Sequence, residues 1–213
     1  MLRRACLALL LAVVALPVAA QVPGAWKVRM DGSRTASAAD ADPKLKLMSK
    51  GDGLHILAAA GGVVWDPART VKGLYTVRAT FALAKPGQTP AQYGLVFAGR
   101  DFEGATPDYV YFTIAQDGTY QVRHRAGDTI HEIDGTPHFA IRKPGAGGAS
   151  VNTLEVRVAP TAVSYVVNGA VVTATPTRAG MGSYTEATKT DGMVGIRIDD
   201  RLDVEVTGFQ AGK

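Results

Sequence analysis

The feature of this chain that most constrains its fold is the spacing of its turn residues. From residue 21 onward, Gly, Asp, Asn and Pro recur about every ten residues, and short runs rich in Val, Tyr, Ile, Thr and Phe separate them. This pattern is typical of an all-β sandwich or barrel, and no window shows sustained helical periodicity. Segments 32–43, 144–150 and 176–191 read as loops. The predicted strands are Trp26–Met30, Leu45–Ser49, Leu54–Ala59, Val63–Trp65, Leu74–Leu83, Gln92–Ala98, Tyr109–Ala115, Tyr120–Arg125, Thr129–Ile133, Leu154–Val158, Val163–Val167, Val171–Ala174, Met193–Ile198 and Leu202–Thr207.

The N-terminus has the organisation of a secretory signal peptide. Arg3-Arg4 forms a short basic region, Leu7–Leu16 is an unbroken apolar run, and small residues lead to a cleavage site after Ala20. The apolar run is too short to span a bilayer. We therefore expect residues 1–20 to be a signal peptide and residues 21–213 to form a single exported domain, periplasmic or extracellular.

Charge and cysteine content exclude several classes of protein. The 213 residues carry 23 Lys and Arg against 19 Asp and Glu, and two of the basic residues lie in the leader. No basic stripe remains, so a nucleic-acid partner is not expected. The only cysteine, Cys6, also lies in the leader, so the mature chain is predicted to have no disulfide. No later segment is apolar enough to span a membrane.

Two adjacent turns predict the register of a three-stranded meander. Asn168-Gly169 is a strong type I′ hairpin signal, which would pair Val167 with Ala170 and continue the ladder in a regular register. A second two-residue loop at Pro160-Thr161 places the same apolar residues on one face. The predicted pairs are Val167–Ala170, Tyr165–Val172 and Val163–Ala174 in the first hairpin, and Val158–Val163, Val156–Tyr165 and Leu154–Val167 in the second.

The hairpin at Asp117-Gly118 decides which residues share a candidate surface. A two-residue loop would mix arginines into the apolar face, whereas a three-residue loop with Gly118 in the left-handed conformation would not. Burial should select the second register, because a one-residue slip turns every side chain over. One face is then Val110, Phe112, Ile114, Tyr120, Val122 and His124. The other is Tyr109, Tyr111, Thr113, Gln121, Arg123 and Arg125, with Tyr111 opposite Arg123 and Tyr109 opposite Arg125.

Six segments between roughly residues 65 and 209 form a recognisable pattern: Tyr93-Gly94-Leu95-Val96-Phe97 with Asp101, Tyr109–Ile114, Asp117–Tyr120, Asn152–Val158, Tyr165–Gly169 and Gly192–Arg197. They resemble the concanavalin A-like lectin and glucanase superfamily, including bacterial laminin-G-like domains and a group linked to 3-keto-disaccharide hydrolysis. The resemblance implies a two-sheet jelly roll whose concave face or rim loops often bind carbohydrate. Fold alone does not imply function.

The polar face of the Asp117-Gly118 hairpin is the candidate ligand site. Sugar recognition needs flat aromatic rings and fixed hydrogen-bond donors, and this face supplies both. The candidate residues are Tyr109, Tyr111, Gln121, Arg123 and Arg125, with Tyr93 and Arg100 on a neighbouring strand. The alternative is an ordinary solvated sheet face, which has the same composition. If the site is exposed, Tyr111→Ala should weaken glycan retention and leave the melting temperature nearly unchanged.

An enzymatic alternative depends on carboxylates and histidines. Glu132 and Asp134 match part of a Glu-x-Asp-x-x-Glu pair, but Pro137 replaces the third carboxylate. A looser hydrolase or lyase would gather His124, His131, Glu132, Arg123 and Arg125, although the registered hairpin sends His124 to the apolar face. No serine or cysteine nucleophile motif, phosphate loop or zinc spacing is present.

The remaining candidates are structural or metal-binding. Trp26 and Trp65 read as core anchors. No cofactor is expected. Calcium is the one metal considered, because Asp199, Asp200 and Asp203 cluster, and Asp101 and Asp108 flank a loop. A turn between two strands is the simpler explanation of the cluster. The expected function is an exported, non-catalytic domain that binds carbohydrate or a cell-envelope glycan. The alternatives are a glycoside or keto-disaccharide hydrolase and a structural or adhesive envelope protein.

Overall fold

The described part of the chain folds into two stacked antiparallel sheets. The computed structural model describes residues 25–32, 44–86, 90–177 and 189–213. Within these ranges it contains strands and no helix, so none of these residues forms a helix able to cross a membrane. The predicted loops at 32–43 and 176–191 lie largely outside the described residues, as does the predicted signal peptide.

Each sheet has seven strands. The strands are β1 (Lys27–Met30), β2 (Leu45–Lys50), β3 (Gly53–Ala58), β4 (Gly62–Val71), β5 (Tyr75–Lys85), β6 (Gln92–Arg100), β7 (Asp108–Ala115), β8 (Thr119–Ala126), β9 (Thr129–Pro137), β10 (Ser150–Val158), β11 (Ala162–Val167), β12 (Ala170–Pro176), β13 (Gly192–Ile198) and β14 (Leu202–Gly212). The first sheet has the order β1-β4-β13-β6-β7-β8-β9, and the second has the order β12-β11-β10-β5-β14-β3-β2. Every predicted strand is confirmed, several of them longer than predicted.

The main core lies between the two sheets. Alternate side chains of each strand point inward, as the period of two requires. Large aromatic residues meet across the interface: Phe112 and Phe97 of the first sheet lie 5.2 Å and 6.1 Å from Tyr165 of the second, measured between ring centroids. The burial of this apolar layer is the principal source of stability, since the described residues contain no cysteine.

Turn chemistry sets the register of the predicted hairpins. Gly118 has φ of +90°, and Tyr111 pairs with Arg123 as predicted. Asn168 and Gly169 both have positive φ, which a type I′ turn requires. The predicted pairs between β10 and β11 are all confirmed.

One predicted register is wrong beyond its first pair. Val167 pairs with Ala170 as predicted, but the ladder between β11 and β12 shifts after Val166, so Tyr165 pairs with Thr173 rather than with Val172. The shift is a β-bulge, in which Val172 is the extra residue. Val172 is partly buried and still packs against the main core, so the bulge changes the pairing and keeps this contact.

Candidate functional site

The outer face of the first sheet carries a line of arginines that we call the arginine face: Arg29, Arg123, Arg125 and Arg197. Two rows of paired residues place Arg29, Arg197 and Arg123, and Arg125 lies two positions further along β8, opposite Tyr109. Arg29 and Arg197 both pair with Val63, one on each side of β4. Arg123 pairs with Tyr111, which pairs in turn with Val96 on β6. Residues from β1, β13 and β8 are therefore brought to one surface from distant parts of the sequence.

Tyr109 and Tyr111 lie on this face, but they are not exposed to solvent. Only 2% of Tyr109 and 4% of Tyr111 is accessible, because both pack into a second small cluster with Trp65 and Phe102. The Phe102 ring lies 5.5 Å from that of Tyr109 and 5.0 Å from that of Trp65. The expectation of open aromatic platforms is therefore corrected: the tyrosines support the surface from beneath.

The segment between β6 and β7 covers this second cluster. Arg29 holds the segment, since its Nη1 donates hydrogen bonds to the carbonyl oxygens of Phe102 (2.9 Å) and Gly104 (2.6 Å). Asp101 closes the turn by accepting hydrogen bonds from the backbone N–H and the hydroxyl of Thr106, both 2.9 Å long. These bonds hold the pKa of Asp101 below its ordinary value. The backbone of this covering segment is thus held in place by polar contacts.

Arg197 is, with Arg29, one of the two buried charges of the arginine face. It makes a bidentate pair with Asp31, at 2.8 Å from Nη1 and 2.6 Å from Nη2, and Nη2 also donates to Asp199 at 3.1 Å. Its guanidinium carbon lies 5.6 Å from the Tyr111 ring centroid. Burial alone would lower the pKa of Arg197, but the hydrogen bonds and charge of Asp31 outweigh it and raise that pKa.

Neither partner of this ion pair was identified from the sequence. Asp31 directly follows β1 and is separated from Arg197 by 166 positions, so no local pattern joins them. Gly61 makes room for the pair, because a Cβ there would press against the Asp31 carboxylate. Burial raises the pKa of Asp199, and the positive charge of Arg197 partly offsets this effect.

The accessible part of the arginine face lies on β8. The Arg123 side chain is 28% exposed and its Nη2 lies 3.4 Å from Glu132. Arg123 also hydrogen-bonds the Tyr111 hydroxyl; burial raises the pKa of that hydroxyl and the nearby arginines oppose the rise. Gln121 accepts a 2.5 Å hydrogen bond from Gln92. Arg125 is more enclosed, since it donates to the Gly127 carbonyl oxygen and to Asp31.

Two other candidate residues are placed differently from the prediction. Tyr93 does lie on β6, next to β7, but it points into the main core, where it is 1% exposed and its ring centroid lies 5.5 Å from that of Phe81. It is therefore removed from the candidate site. Arg100 lies at the end of β6, and its Nη2 donates to the carbonyl oxygens of Lys189 (3.1 Å) and Asp191 (2.9 Å). Arg100 thus secures the segment before β13.

The carboxylates of the glycosidase alternative lie on opposite faces of the edge strand β9. Glu132 pairs with Arg123 on the arginine face, whereas Asp134 pairs with Val122, which points into the core. A bulge at Ile133 separates them, so these two residues do not share a face as residues i and i+2 of a regular strand do. Asp134 accepts hydrogen bonds from Thr173 (2.6 Å) and Tyr120 (3.1 Å), which joins the edges of the two sheets.

The histidines of the lyase alternative also lie away from the arginine face. His124 faces the core side, as the register predicts, and its Nε2 lies 2.7 Å from the carboxylate of Asp108. His131 pairs with His124 across the ladder, and the two rings stack with centroids 5.9 Å apart. Because neighbouring side chains on a strand alternate, neither imidazole shares a face with Arg123 or Arg125.

The tryptophans both pack against other aromatic residues. Trp65 is fully buried as predicted, although in the second cluster rather than between the sheets. Trp26 is partly buried, and its ring lies 5.4 Å from that of Phe209. Arg69 stacks beside both rings, at 5.5 Å and 5.3 Å from their centroids. Trp26 thus closes one end of the sandwich.

The aspartates considered for calcium have separate partners. Asp199 accepts from Arg197, Asp200 from Arg201, and Asp203 lies 2.7 Å from Nε2 of His55. Within the described ranges there is no group of three or more His, Cys, Asp or Glu side chains placed to hold a metal ion.

Comparison with known proteins identifies the fold. No protein-family model and no curated protein matches the sequence. Among solved structures, the chain is similar to a Bacillus subtilis protein of unknown function with a galectin-like fold, with TM-score 0.62, 15% identity, and 88% of each chain covered. It is also similar to the carbohydrate-binding module CBM66 from Bacillus subtilis, with TM-score 0.60, 9% identity, and 79% of this chain and 92% of that chain covered.

A third similar structure is an enzyme. Alginate lyase A1-II′ matches with TM-score 0.55 and 11% identity, over 92% of this chain and 99% of that chain. These likenesses establish the fold alone: the chain is an all-β, two-sheet jelly-roll sandwich, as the sequence resemblance implied.

Proposed function

We propose that this chain is an exported, non-catalytic carbohydrate-binding protein that holds a glycan on the arginine face. The proposed leader, residues 1–20, would direct it to the periplasm or beyond the cell, where envelope glycans are available. Support from comparison comes from CBM66, which is named as a carbohydrate-binding module and shares the fold over 92% of its own length. Similarity of fold raises the expectation of glycan binding without identifying the sugar.

The observation that carries the proposal is the pair of accessible polar side chains on β8. Gln121 and Arg123 point to the same side of the strand, about 7 Å apart, because alternate residues are separated by two rises of about 3.3 Å. Gln92 orients Gln121, and Tyr111 and Glu132 orient Arg123. Donors held in this way lose little conformational freedom when they bind hydroxyl groups.

Tyr111 acts in this proposal as a positioning residue rather than as a stacking surface. It is buried beneath Arg123 and Arg197, so a sugar ring has no access to its face. Recognition would therefore rest on hydrogen bonds and on the guanidinium plane of Arg123, which can lie against the C–H side of a sugar.

Binding is favoured over hydrolysis by the placement of the acids. Glycosidases need two carboxyl groups that flank one scissile bond. Glu132 and Asp134 lie on opposite faces of β9, and Asp134 is bound by Tyr120 and Thr173. The likeness to alginate lyase A1-II′ keeps an assay for bond cleavage relevant.

A glycan array on the purified protein tests the proposal, with release of reducing sugar measured in parallel. Removing a hydrogen bond that involves a charged group costs about 1.5–3 kcal/mol, so Arg123→Ala should weaken retention of a bound glycan at least tenfold. Arg78→Ala is the matched control, because Arg78 is a partly exposed arginine on the outer face of the second sheet, near Glu155. Absence of retention, or equal weakening by both variants, contradicts the proposal. Sugar release would favour the hydrolase alternative.

A further inference from the structure

A basic groove crosses the outer face of the second sheet, on the opposite side of the sandwich from the arginine face. Its cations are Lys44, Lys46, Lys85 and Arg201, and its volume is about 510 Å³. The one acidic residue that lines it is Asp203. None of these four cations belongs to the proposed glycan site on the arginine face.

The register of four strands arranges the groove. Lys46 on β2 pairs with Leu57 on β3, Leu57 pairs with Asp203 on β14, and Asp203 pairs with Lys85 on β5. The four residues therefore form one row across the sheet. Because neighbouring strands lie about 4.8 Å apart, the Cα atoms of Lys46 and Lys85 are separated by about 14 Å. An anion that reaches both lysines must be extended.

The charges of the groove are unevenly compensated. Two other cations on this face have partners: Lys50 pairs with Glu205, and Arg157 pairs with Glu155 at 2.7 Å. Lys46 and Lys85 are exposed and form no ion pair among the described residues. Asp203 is itself engaged by His55.

Nearby acidic groups neutralise the groove only in part. Asp203 lies 2.7 Å from Nε2 of His55 and next to Lys85 in the row, and Asp200 accepts a 3.0 Å hydrogen bond from Arg201. The four cations therefore exceed the two carboxylates, and the groove keeps a net positive charge. Such a patch attracts anionic partners.

The floor beside the lysines is partly apolar. Leu57, Ala59 and Pro86 line it, and Asp203 lies in the row between Leu57 and Lys85. A small inorganic anion would use the cations and leave this floor uncovered. An acidic sugar chain can contact both the apolar residues and the cations, because its rings carry apolar C–H groups and its substituents carry negative charge.

We propose that the basic groove binds an extended acidic oligosaccharide, with its carboxylate or sulfate groups on Lys46 and Lys85 and its rings over Leu57. Lysine suits this role because its ammonium group is a flexible point charge that does not demand the bidentate geometry of arginine. The groove would be a second ligand surface, independent of the proposed site on the arginine face.

Titration of the purified protein with oligogalacturonates of one to ten units, and with heparin oligosaccharides, tests this proposal. Affinity should rise with chain length until the ligand spans the row, and galacturonate monomer should bind much more weakly. Lys46→Gln combined with Lys85→Gln should lower the affinity for the longest chains about 2- to 25-fold, because each exposed ion pair contributes about 1.5- to 5-fold. Circular dichroism should confirm that the variant is folded.

The control is Lys72→Gln combined with Lys143→Gln, which removes the same charge from two exposed lysines outside the groove. Equal weakening by the control would show plain attraction between opposite charges and overturn the proposal. Three other results would also overturn it. The first is that neither probe binds, and the second is that single-stranded oligothymidylate binds with the same affinity and length dependence. The third is that Arg123→Ala, and not the lysine variant, loses binding of the acidic chains. Because the arginine face is tested by Arg123→Ala, failure of one site is distinguishable from failure of the other.

Discussion

Replacing Tyr111 by alanine distinguishes a supporting tyrosine from an exposed ligand platform. The side chain is 4% exposed, its ring lies 5.7 Å from that of Tyr109, and the Arg197 guanidinium covers it. Truncation of a large buried aromatic residue costs about 3–5 kcal/mol of unfolding free energy. In a chain of this size that loss lowers the melting temperature by roughly 6–20 °C. This reverses the expectation drawn from the sequence, in which Tyr111→Ala left stability unchanged.

Two further variants locate the source of the loss. Tyr111→Phe keeps the ring and removes the hydrogen bond to Arg123, so we expect a cost of about 0.5–1.5 kcal/mol. Arg123→Ala removes a side chain that is 28% exposed, so it should cost less than about 1 kcal/mol. Urea unfolding followed by fluorescence and circular dichroism gives all three values. A loss below 1 kcal/mol for Tyr111→Ala would show that the second cluster is not packed, and the supporting role assigned to Tyr111 would then be wrong.

Two other predictions concern stability. Gly94→Ala should lower the free energy of unfolding in urea by more than about 3 kcal/mol, because its Cβ would overlap the backbone carbonyl of Phe112. Gly145→Ala is the control, since a Cβ there has open space and should change stability by less than about 0.5 kcal/mol. Similar values for both variants would contradict the close approach of β6 and β7. Asp101 has a lowered pKa in the folded state through its bonds to Thr106, so its stabilising contribution is complete above the ordinary aspartate pKa of about 4 and is lost as the pH falls through the lower folded value. The stability difference between the natural protein and Asp101→Asn should therefore shrink on acidification, and a difference independent of pH would contradict this linkage.

Much of the fold was predictable because turn residues and alternation act locally. Gly118 can adopt positive φ without steric cost, and that property selected the register in which Tyr111 opposes Arg123. The core position of Tyr93 was also readable, since it shares its parity with Leu95 and Phe97 along β6. The prediction that Tyr93 belongs to the ligand site used only the strand on which it lies and not the face to which its side chain points.

Bulges set a limit on what alternation predicts. Ile133 and Val172 are each an extra residue in a ladder, and neither stands next to a glycine or proline that would signal the irregularity. The consequence at Ile133 is chemical, because it turns Glu132 and Asp134 to opposite faces. A carboxylate pair inferred from i and i+2 spacing is therefore only as sound as the continuity of the strand that carries it.

Whether another segment of the chain covers a sheet face depends on the tertiary structure. The alternation of residues along the strands does not predict it. Arg29 fixes the segment that covers Tyr109 by bonding two of its carbonyl oxygens, and Asp31 neutralises Arg197 from 166 positions away. Burying a guanidinium is tolerable only when such partners satisfy it, so these arginines are committed to the structure. Cations that the fold leaves uncommitted are the ones free to meet a ligand. On this criterion ligand binding should be sought at Lys46 and Lys85 on one sheet. Arg123 on the other sheet contacts Glu132 and Tyr111 but stays 28% exposed, so it too can meet a ligand. At the most enclosed arginines, loss of binding would follow from loss of structure.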